Sequence, residues 1–569
     1  MPLRSLLLSG AVAVGVAVSA AGCVGSESRS HAGTPAATSG KPGDAAYQKH
    51  CAVCHGADGR GDGAAAYLLD PKPRNFRMGY FRLVSTANGV PTEDDLVRVI
   101  KAGMPGTPMP SWAQLGDAQI KELAQYVLSL RHDALVEEGL AKKLSQADAE
   151  AKAKKKTTPG DVIKDAPPAM KWTPEELKAS FVEKCAPCHA EDGTGKDDPA
   201  WRTGEGYGIK SRNFKRGVFK GGREDLDLFR RITAGLPGTP MPGFGAVSAE
   251  DRWKMVKYIQ TLSEPAAQQK AWVKETTVTA KRVASIPVDV NAPVWNDVPA
   301  VELGLLALKD NPLNVLGVTV RAARDDASVA FLLEWADDSR DANASRVVNF
   351  SDGAAVQLSG DADPPLFTMG DPDKAVQVWY WKAMWQPEAT QQSAIDHYLD
   401  EKKGWVMAAP DEDTTFETGR AAGNSASVAD RTGKAEEMHV TRFGSLTPAP
   451  MESQAVDSAA TWANGKWRVL LRHPIKAVHQ GDVAFAPNAT LRVGVAVWNG
   501  AAGDRNGQKS VSQFVHLEIV PLAPGGGGNT GTVIALLVPL GALLVVGSGL
   551  GWYVYRRQWR EGSQGGEPS

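Results

Sequence analysis

The hydrophobic residues follow four patterns in succession. An apolar run from Leu6 to about Ala21 follows Met1-Pro2-Leu3-Arg4. One cation and a short apolar stretch predict an export signal over residues 1–22 rather than a spanning helix. Residues 23–43 are rich in Ser, Gly, Ala and Pro and predict a flexible tether. From residue 44 the spacing turns helical, as in Leu96, Val97, Val99 and Ile100, then Leu123, Val127 and Leu130. Two small all-α units are expected, at 44–132 and 172–264, with a charged Ala/Lys-rich linker with some helix at 133–171. Beyond about residue 281 the period drops to two. Val318, Val320 and Ala322 alternate with Thr319 and Arg321, and Val329, Phe331 and Leu333 repeat the habit, as do Val376, Val378 and Tyr380, then Val493, Val495 and Val497. That pattern predicts an all-β sandwich over 281–522. Last, Val533–Tyr555 gives about 23 residues without charge, enough to cross a hydrocarbon layer of ~30 Å. A transmembrane helix is expected at 532–555. Arg556, Arg557 and Arg560 follow it, so the tail 556–569 should be cytoplasmic and the body should lie on the exported side.

Composition narrows the classes. The chain has 569 residues, 43% hydrophobic and 22% charged, which allows three or four domains with cores of their own. A formal net charge of −2 offers no basic field for nucleic acid. Of the five cysteines, four fall in two Cys-x-x-Cys-His pentads, leaving no disulfide framework. The fifth, Cys23, follows Ala20-Ala21-Gly22. This resembles a bacterial lipobox, which implies lipidation of Cys23 as the new N-terminus.

The two α units are repeats. Arg74-Asn75-Phe76 recurs as Arg212-Asn213-Phe214, and Pro105-Gly106-Thr107-Pro108-Met109-Pro110 recurs as Pro237-Gly238-Thr239-Pro240-Met241-Pro242. The pentad Cys51-Ala52-Val53-Cys54-His55 recurs as Cys185-Ala186-Pro187-Cys188-His189. Such pentads read as sites of c-type haem attachment: Cys51 and Cys54, and Cys185 and Cys188, would bond the porphyrin, with His55 and His189 as proximal ligands. A zinc site would want more soft ligands nearby, and a redox dithiol a βαβ context. For the sixth ligand the first repeat offers Met104 and Met109. Position 104 aligns with Leu236 and 109 with Met241, so Met109 and Met241 are expected on iron. His/Met ligation fills both axial positions and favours electron transfer. Arg74 and Arg212 are candidate partners for the haem propionates, with a surface role as the alternative.

On these motifs, residues 44–132 and 172–264 resemble class I cytochrome c domains, which implies a few helices wrapped round each haem. Residues 281–522 resemble the haem-binding domain in the gamma subunit of ethylbenzene dehydrogenase and related type II molybdenum enzymes, a DOMON-like sandwich. The likeness rests on Pro293-Val294-Trp295, Trp335-Ala336-Asp337, Met369-Gly370-Asp371-Pro372, Val378-Trp379-Tyr380-Trp381-Lys382-Ala383 and Val497-Trp498-Asn499-Gly500 with Lys509-Ser510. It implies one non-covalent haem b held by Met369 and Lys509. Lysine ligates only as the free amine, so its pKa must fall. His439, His473, His479 and His516 are other candidates in this region.

The expectation is therefore a membrane-anchored cytochrome with two haem c and one haem b. It would pass electrons to or from a redox partner, a molybdenum enzyme with an iron–sulfur subunit. A haem enzyme with an open iron, or a sandwich sensor or binding module fused to cytochromes, are the other readings.

Overall fold

The computed structural model describes residues 39–520, apart from 170, 272–275, 343–348, 362–368, 371–374, 386–432, 434, 442–445, 450–453, 479–480 and 487–488. The expected signal, Cys23, the transmembrane segment and the cytoplasmic tail lie outside the described residues. Among the described residues no helix is long and apolar enough to cross a membrane.

The helical half begins with α1 (Asp44–His50), which runs through Cys51 into α2 (Ala52–His55). Then come α3 (Glu93–Ala102), α4 (Gly116–Ala141) and α5 (Gln146–Thr157). The start of α3 is fixed by a capping box: the Thr92 hydroxyl accepts from the Asp95 N–H, and the Asp95 carboxylate accepts from the Thr92 N–H. Leu96 and Ile100 on one face of α3 bury against Tyr47 and against Ile120, Leu123, Val127 and Leu130 of α4. Residues 133–171 contain the end of α4 and all of α5. The helix α4 runs past 132, and α5 folds back on it, burying Ala149 and Ala153 against Leu135 and Val136. The packing of α5 on α4 carried little sequence signal, because only two small alanines mark its buried stripe.

The second unit repeats the plan with α6 (Pro174–Lys184), α7 (Ala186–His189), α8 (Asp225–Ala234), α9 (Ala249–Thr261) and the short α10 (Pro265–Ala271). Pro174 opens α6, inside a capping box of Thr173 and Glu176. Its core is Phe181, Leu228, Phe229, Ile232, Trp253, Val256 and Ile259. The units meet reciprocally. A Cβ on Gly106 would stand 3.2 Å from Val218 of the second unit, and one on Gly238 would stand 2.5 Å from Tyr80 of the first. Arg98 pairs with Asp227 at 2.9 Å across the seam.

The β half holds β1 (Thr277–Arg282), β2 (Val301–Gly304), β3 (Leu306–Ala307), β4 (Gly317–Arg324), β5 (Ser328–Ala336), β6 (Gly353–Ser359), β7 (Val376–Lys382), β8 (Glu436–Val440), β9 (Thr447–Pro448), β10 (Asp457–Ala463), β11 (Lys466–Pro474), β12 (Leu491–Trp498), β13 (Ser510–Val511) and β14 (Val515–Ile519). They form one sheet in the order β10-β11-β5-β4-β1-β14-β12-β6-β7-β8-β9. The sheet is mixed: β1 runs parallel to both β14 and β4, and the other pairs are antiparallel. β5 and β7 are far apart in that order, yet the rings of Phe331 and Trp379 are 5.6 Å apart. The sheet therefore folds over itself into two layers around one core. Val329, Phe331 and Leu333 face Trp379, Trp381 and Val493 across it, as the period-two alternation demands.

Candidate functional site

In the first unit, α1 and α2 carry Cys51, Cys54 and His55 as one turn-linked block, and both thiols are free. The His55 Nδ1 lies 3.0 Å from the Arg74 carbonyl. A carbonyl can only accept, so Nδ1 carries the proton and Nε2 keeps its lone pair for a metal. Burial pushes the imidazole down to about 4, which keeps it neutral. The Phe76 ring stacks on His55 at 4.5 Å and 20°. Asn75 caps the short 3-10 turn that delivers this ring, accepting from the Arg77 N–H.

The second unit reproduces each contact. His189 Nδ1 stands 3.2 Å from the Arg212 carbonyl, Phe214 stacks at 4.6 Å and 23°, and Asn213 caps the turn. The Arg-Asn-Phe repeat thus has a definite job: a carbonyl, a cap and a ring, all spent on the histidine. Sequence reading singled out only the arginine, and for its guanidinium. That guanidinium in Arg74 pairs with Glu205 of the second unit, which also accepts from the Asn75 N–H at 3.0 Å. Glu205 carried no sequence signal, because its role exists only across the seam.

The methionine loops also match. Met104 N donates to the Met109 carbonyl at 3.0 Å, and Leu236 N to the Met241 carbonyl at 3.2 Å. Thr107 and Thr239 each accept from the methionine N–H at 3.2 Å. Met109 packs on the cluster that holds Cys51, Ala52 and Phe76. The equivalence of 104 with 236 and of 109 with 241 is therefore structural as well as sequential.

In the β half, Met369 and Lys509, 140 residues apart, converge: Lys509 Nζ is 3.6 Å from Met369 Sδ. Lys509 is 7% exposed, and burial pushes its ammonium down to about 8. Met369 has φ +64, a conformation uncommon outside glycine, and Gly370 follows at φ +84 against the Val440 carbonyl. The wall around Met369 is apolar, made by Val376, Val378, Met438, Val440 and Trp498. A soft thioether, an amine made available by desolvation and an apolar wall fit a non-covalent haem. Ser510 Oγ beside them is buried without a hydrogen-bond partner. His439 and His473 belong elsewhere: His439 alternates with Met438 and Val440 and so projects from the other face of β8, while His473 lies on β11, stacked on Trp379. His516 sits on β14, and His479 is outside the described residues.

The first unit touches this site. Cys54 and Leu68 pack on a cluster of Leu69, Leu306, Leu308 and Val511. The Lys509 carbonyl accepts from Leu308 N at 2.9 Å, and the Leu308 carbonyl accepts from Asp70 N at 2.8 Å. The second unit reaches the β half through Arg216 and Asp310 at 2.9 Å.

Two helical units with paired haem-attachment pentads, joined to a two-layer β domain, define a modular cytochrome. Comparison with known proteins agrees: residues 40–131 and 174–263 match the family model for cytochrome c, and residues 292–510 that for ethylbenzene dehydrogenase. A protein assigned as respiratory nitrate reductase heme subunit ORF7 of Haloferax mediterranei is 27% identical over 270 residues, which is 44% of this chain and 78% of that protein. The chlorate reductase subunit gamma of Ideonella dechloratans is 22% identical over 228 residues, 39% of this chain and 74% of that protein. The dimethylsulfide dehydrogenase subunit gamma of Rhodovulum sulfidophilum is 25% identical over 220 residues, 37% of this chain and 64% of that protein.

Proposed function

We propose that this chain is the electron-transferring cytochrome subunit of an exported oxidoreductase complex, gamma-like in its β half, whose partner carries molybdenum and iron–sulfur centres. In this reading Cys51, Cys54, Cys185 and Cys188 bond two haem c, with His55 and Met109, and His189 and Met241, on the irons. Met369 and Lys509 hold one haem b. Arg74 and Arg212 are the candidates for the propionates, Arg74 while also paired with Glu205. Haem, when bound, supplies one-electron chemistry at iron. The protein's part is to keep each histidine neutral and oriented, to cap each iron so that it does not bind substrate, and to exclude water from Lys509.

The observation that carries the reading is the approach of Lys509 to Met369 inside the domain whose relatives are named gamma or haem subunits of nitrate, chlorate and dimethylsulfide enzymes. The contact of Cys54 with the strand pair beside Lys509 supports passage between the two kinds of site. Anchoring by 532–555, export by 1–22 and lipidation at Cys23 rest on the sequence pattern. Purification of the native assembly, with metal analysis and a pyridine haemochrome assay, tests the proposal. Two haem c and one haem b per chain, with molybdenum in stoichiometric amount, is the expected result. A chain that purifies without a molybdenum partner, or with haem c alone, overturns it.

A further inference from the structure

A second cluster of ligand-type side chains lies between the two layers of the β half, on the opposite face of β8 from Met438 and Val440. Glu437 and His439 come from β8, His473 from β11 of the facing layer, and Asp482 from the connection between β11 and β12. His473 is 1% exposed and Glu437 is fully buried, as is the Asp482 side chain. One ligand atom from each of Glu437, His473 and Asp482 lies within 4.8 Å of the others.

The His473 ring fixes the chemistry. Its Nδ1 is 2.6 Å from the Pro474 carbonyl, so the proton is there. Its Nε2 has no hydrogen-bond partner and points at Glu437 Oε2 from 3.4 Å. Either a proton on Nε2 shared with Glu437 or a cation between the two groups relieves that approach in a dry interior. A charge-assisted hydrogen bond would close to about 2.7–2.9 Å. Across the cluster, His439 Nε2 stands 3.2 Å from Asp482 Oδ1. The 3.4 Å between His473 Nε2 and Glu437 Oε2 matches the edge of a tetrahedron whose metal bonds are about 2.0–2.2 Å long, which is about 3.3–3.6 Å, and His439 holds Asp482 in place by its hydrogen bond. The support around it is that of a held site. Gln377 donates to Glu437 and, at 3.3 Å, to Asp482, Val478 N donates to Asp482 Oδ2 at 2.7 Å, and Trp379 stacks on His473 at 5.1 Å and 14°.

We propose that Glu437, His473 and Asp482 bind one divalent transition-metal ion of the zinc class between the two β layers. Imidazole and carboxylate donors together suit such an ion better than calcium or magnesium. The ion would pin β8, whose other face walls the Met369 pocket, to β11 of the opposite layer. It is separate from the iron sites and from their electron chemistry.

The test uses the full chain made with its haems and purified without chelators. Metal analysis should give close to one zinc per chain beyond the haem iron. Dipicolinate should remove it and lower the melting temperature, and added Zn2+ should restore both. His473→Gln and Glu437→Gln should lose the metal, and His516→Gln should keep it. If either variant fails to fold, zinc titration of the chelator-treated native chain decides. Less than a tenth of an equivalent as purified, with no uptake on titration and a normal haem count, overturns the proposal in favour of a proton shared between His473 and Glu437.

Discussion

The two kinds of haem site proposed for this molecule are encoded in opposite ways. Each c-type site is local. Cys51 to His55 occupy one helical turn, and the carbonyl, cap and ring that steady His55 come from three consecutive residues, Arg74-Asn75-Phe76. The third site is assembled by the fold: Met369 and Lys509 meet because β12, β6, β7 and β8, drawn from distant parts of the chain, lie side by side in the sheet and share one apolar face. The lesson is about robustness. Covalent sites should survive damage to packing that empties the non-covalent one, and the reverse should also hold.

The largest effect that would break this comparison is loss of a pentad. Cys51→Ala with Cys54→Ala should remove one of the two covalent haems, read directly as mass, and leave the haem b signal in place. Loss of both covalent haems would show that the units mature together and are not independent. Next in size, Lys509→Ala should bring extractable haem b close to zero while the covalent count stays at two. If haem b persists, the ligand is another residue. Met109→Leu should open the first iron to carbon monoxide without loss of haem, whereas Met104→Leu should leave the spectrum unchanged. Equal spectra for the two variants would reverse the assignment made from the paired loops.

Much of the helical half was legible in sequence, because its signals are periodic or repeated. The α3 face at Leu96 and Ile100 and the paired methionine loops were readable at a glance. The alternation through Val318–Ala322 and Val329–Leu333 likewise announced a two-faced sheet. What was not legible depends on neighbours far along the chain. The docking of α5 on α4 was not readable because two alanines are its whole buried stripe. Glu205 was silent until the second unit brought it to Arg74. The partnership of Met369 with Lys509 came from family resemblance and not from pattern, since nothing in the period of the chain links residues across so many loops. The interlayer position of Glu437, His439 and His473 follows from strand parity once the pairing of β8 with β7 is known, and that pairing spans the undescribed stretch at 386–432.

Acidity sharpens the contrast further. The His55 imidazole, held at about 4 by burial, is neutral through the whole working range, so the first covalent site should bind its iron independently of pH above about 5. Lys509 differs, because burial brings its ammonium only to about 8. Coordination needs the free amine, so binding of haem b releases a proton wherever the amine is still charged. Affinity of the haem-b-depleted chain for added haem should therefore fall about tenfold per pH unit below about 8 and level off above it. A flat profile from pH 6 to 9 would sever Lys509 from the iron.

The smallest effect concerns the two repeats alone. Phe76 and Phe214 stack on their histidines with nearly the same geometry, at 4.5 and 4.6 Å. Such a pair contributes about 0.5–1.5 kcal/mol beyond the area it buries. Leucine keeps much of the volume but has no ring to lie flat on the imidazole. Phe76→Leu and Phe214→Leu should each lower stability by about 1 kcal/mol and leave both haems attached. The proximal histidine would lose one of its two restraints, the carbonyl at Nδ1 remaining, so its ring should turn more freely about that bond. Nuclear magnetic resonance of the oxidised haem methyls reads this orientation directly. Matching changes in the two variants would make the repeats equivalent in function as in sequence. A change confined to Phe76→Leu would instead set the first unit apart, as its contact with the β half through Cys54 already does in packing.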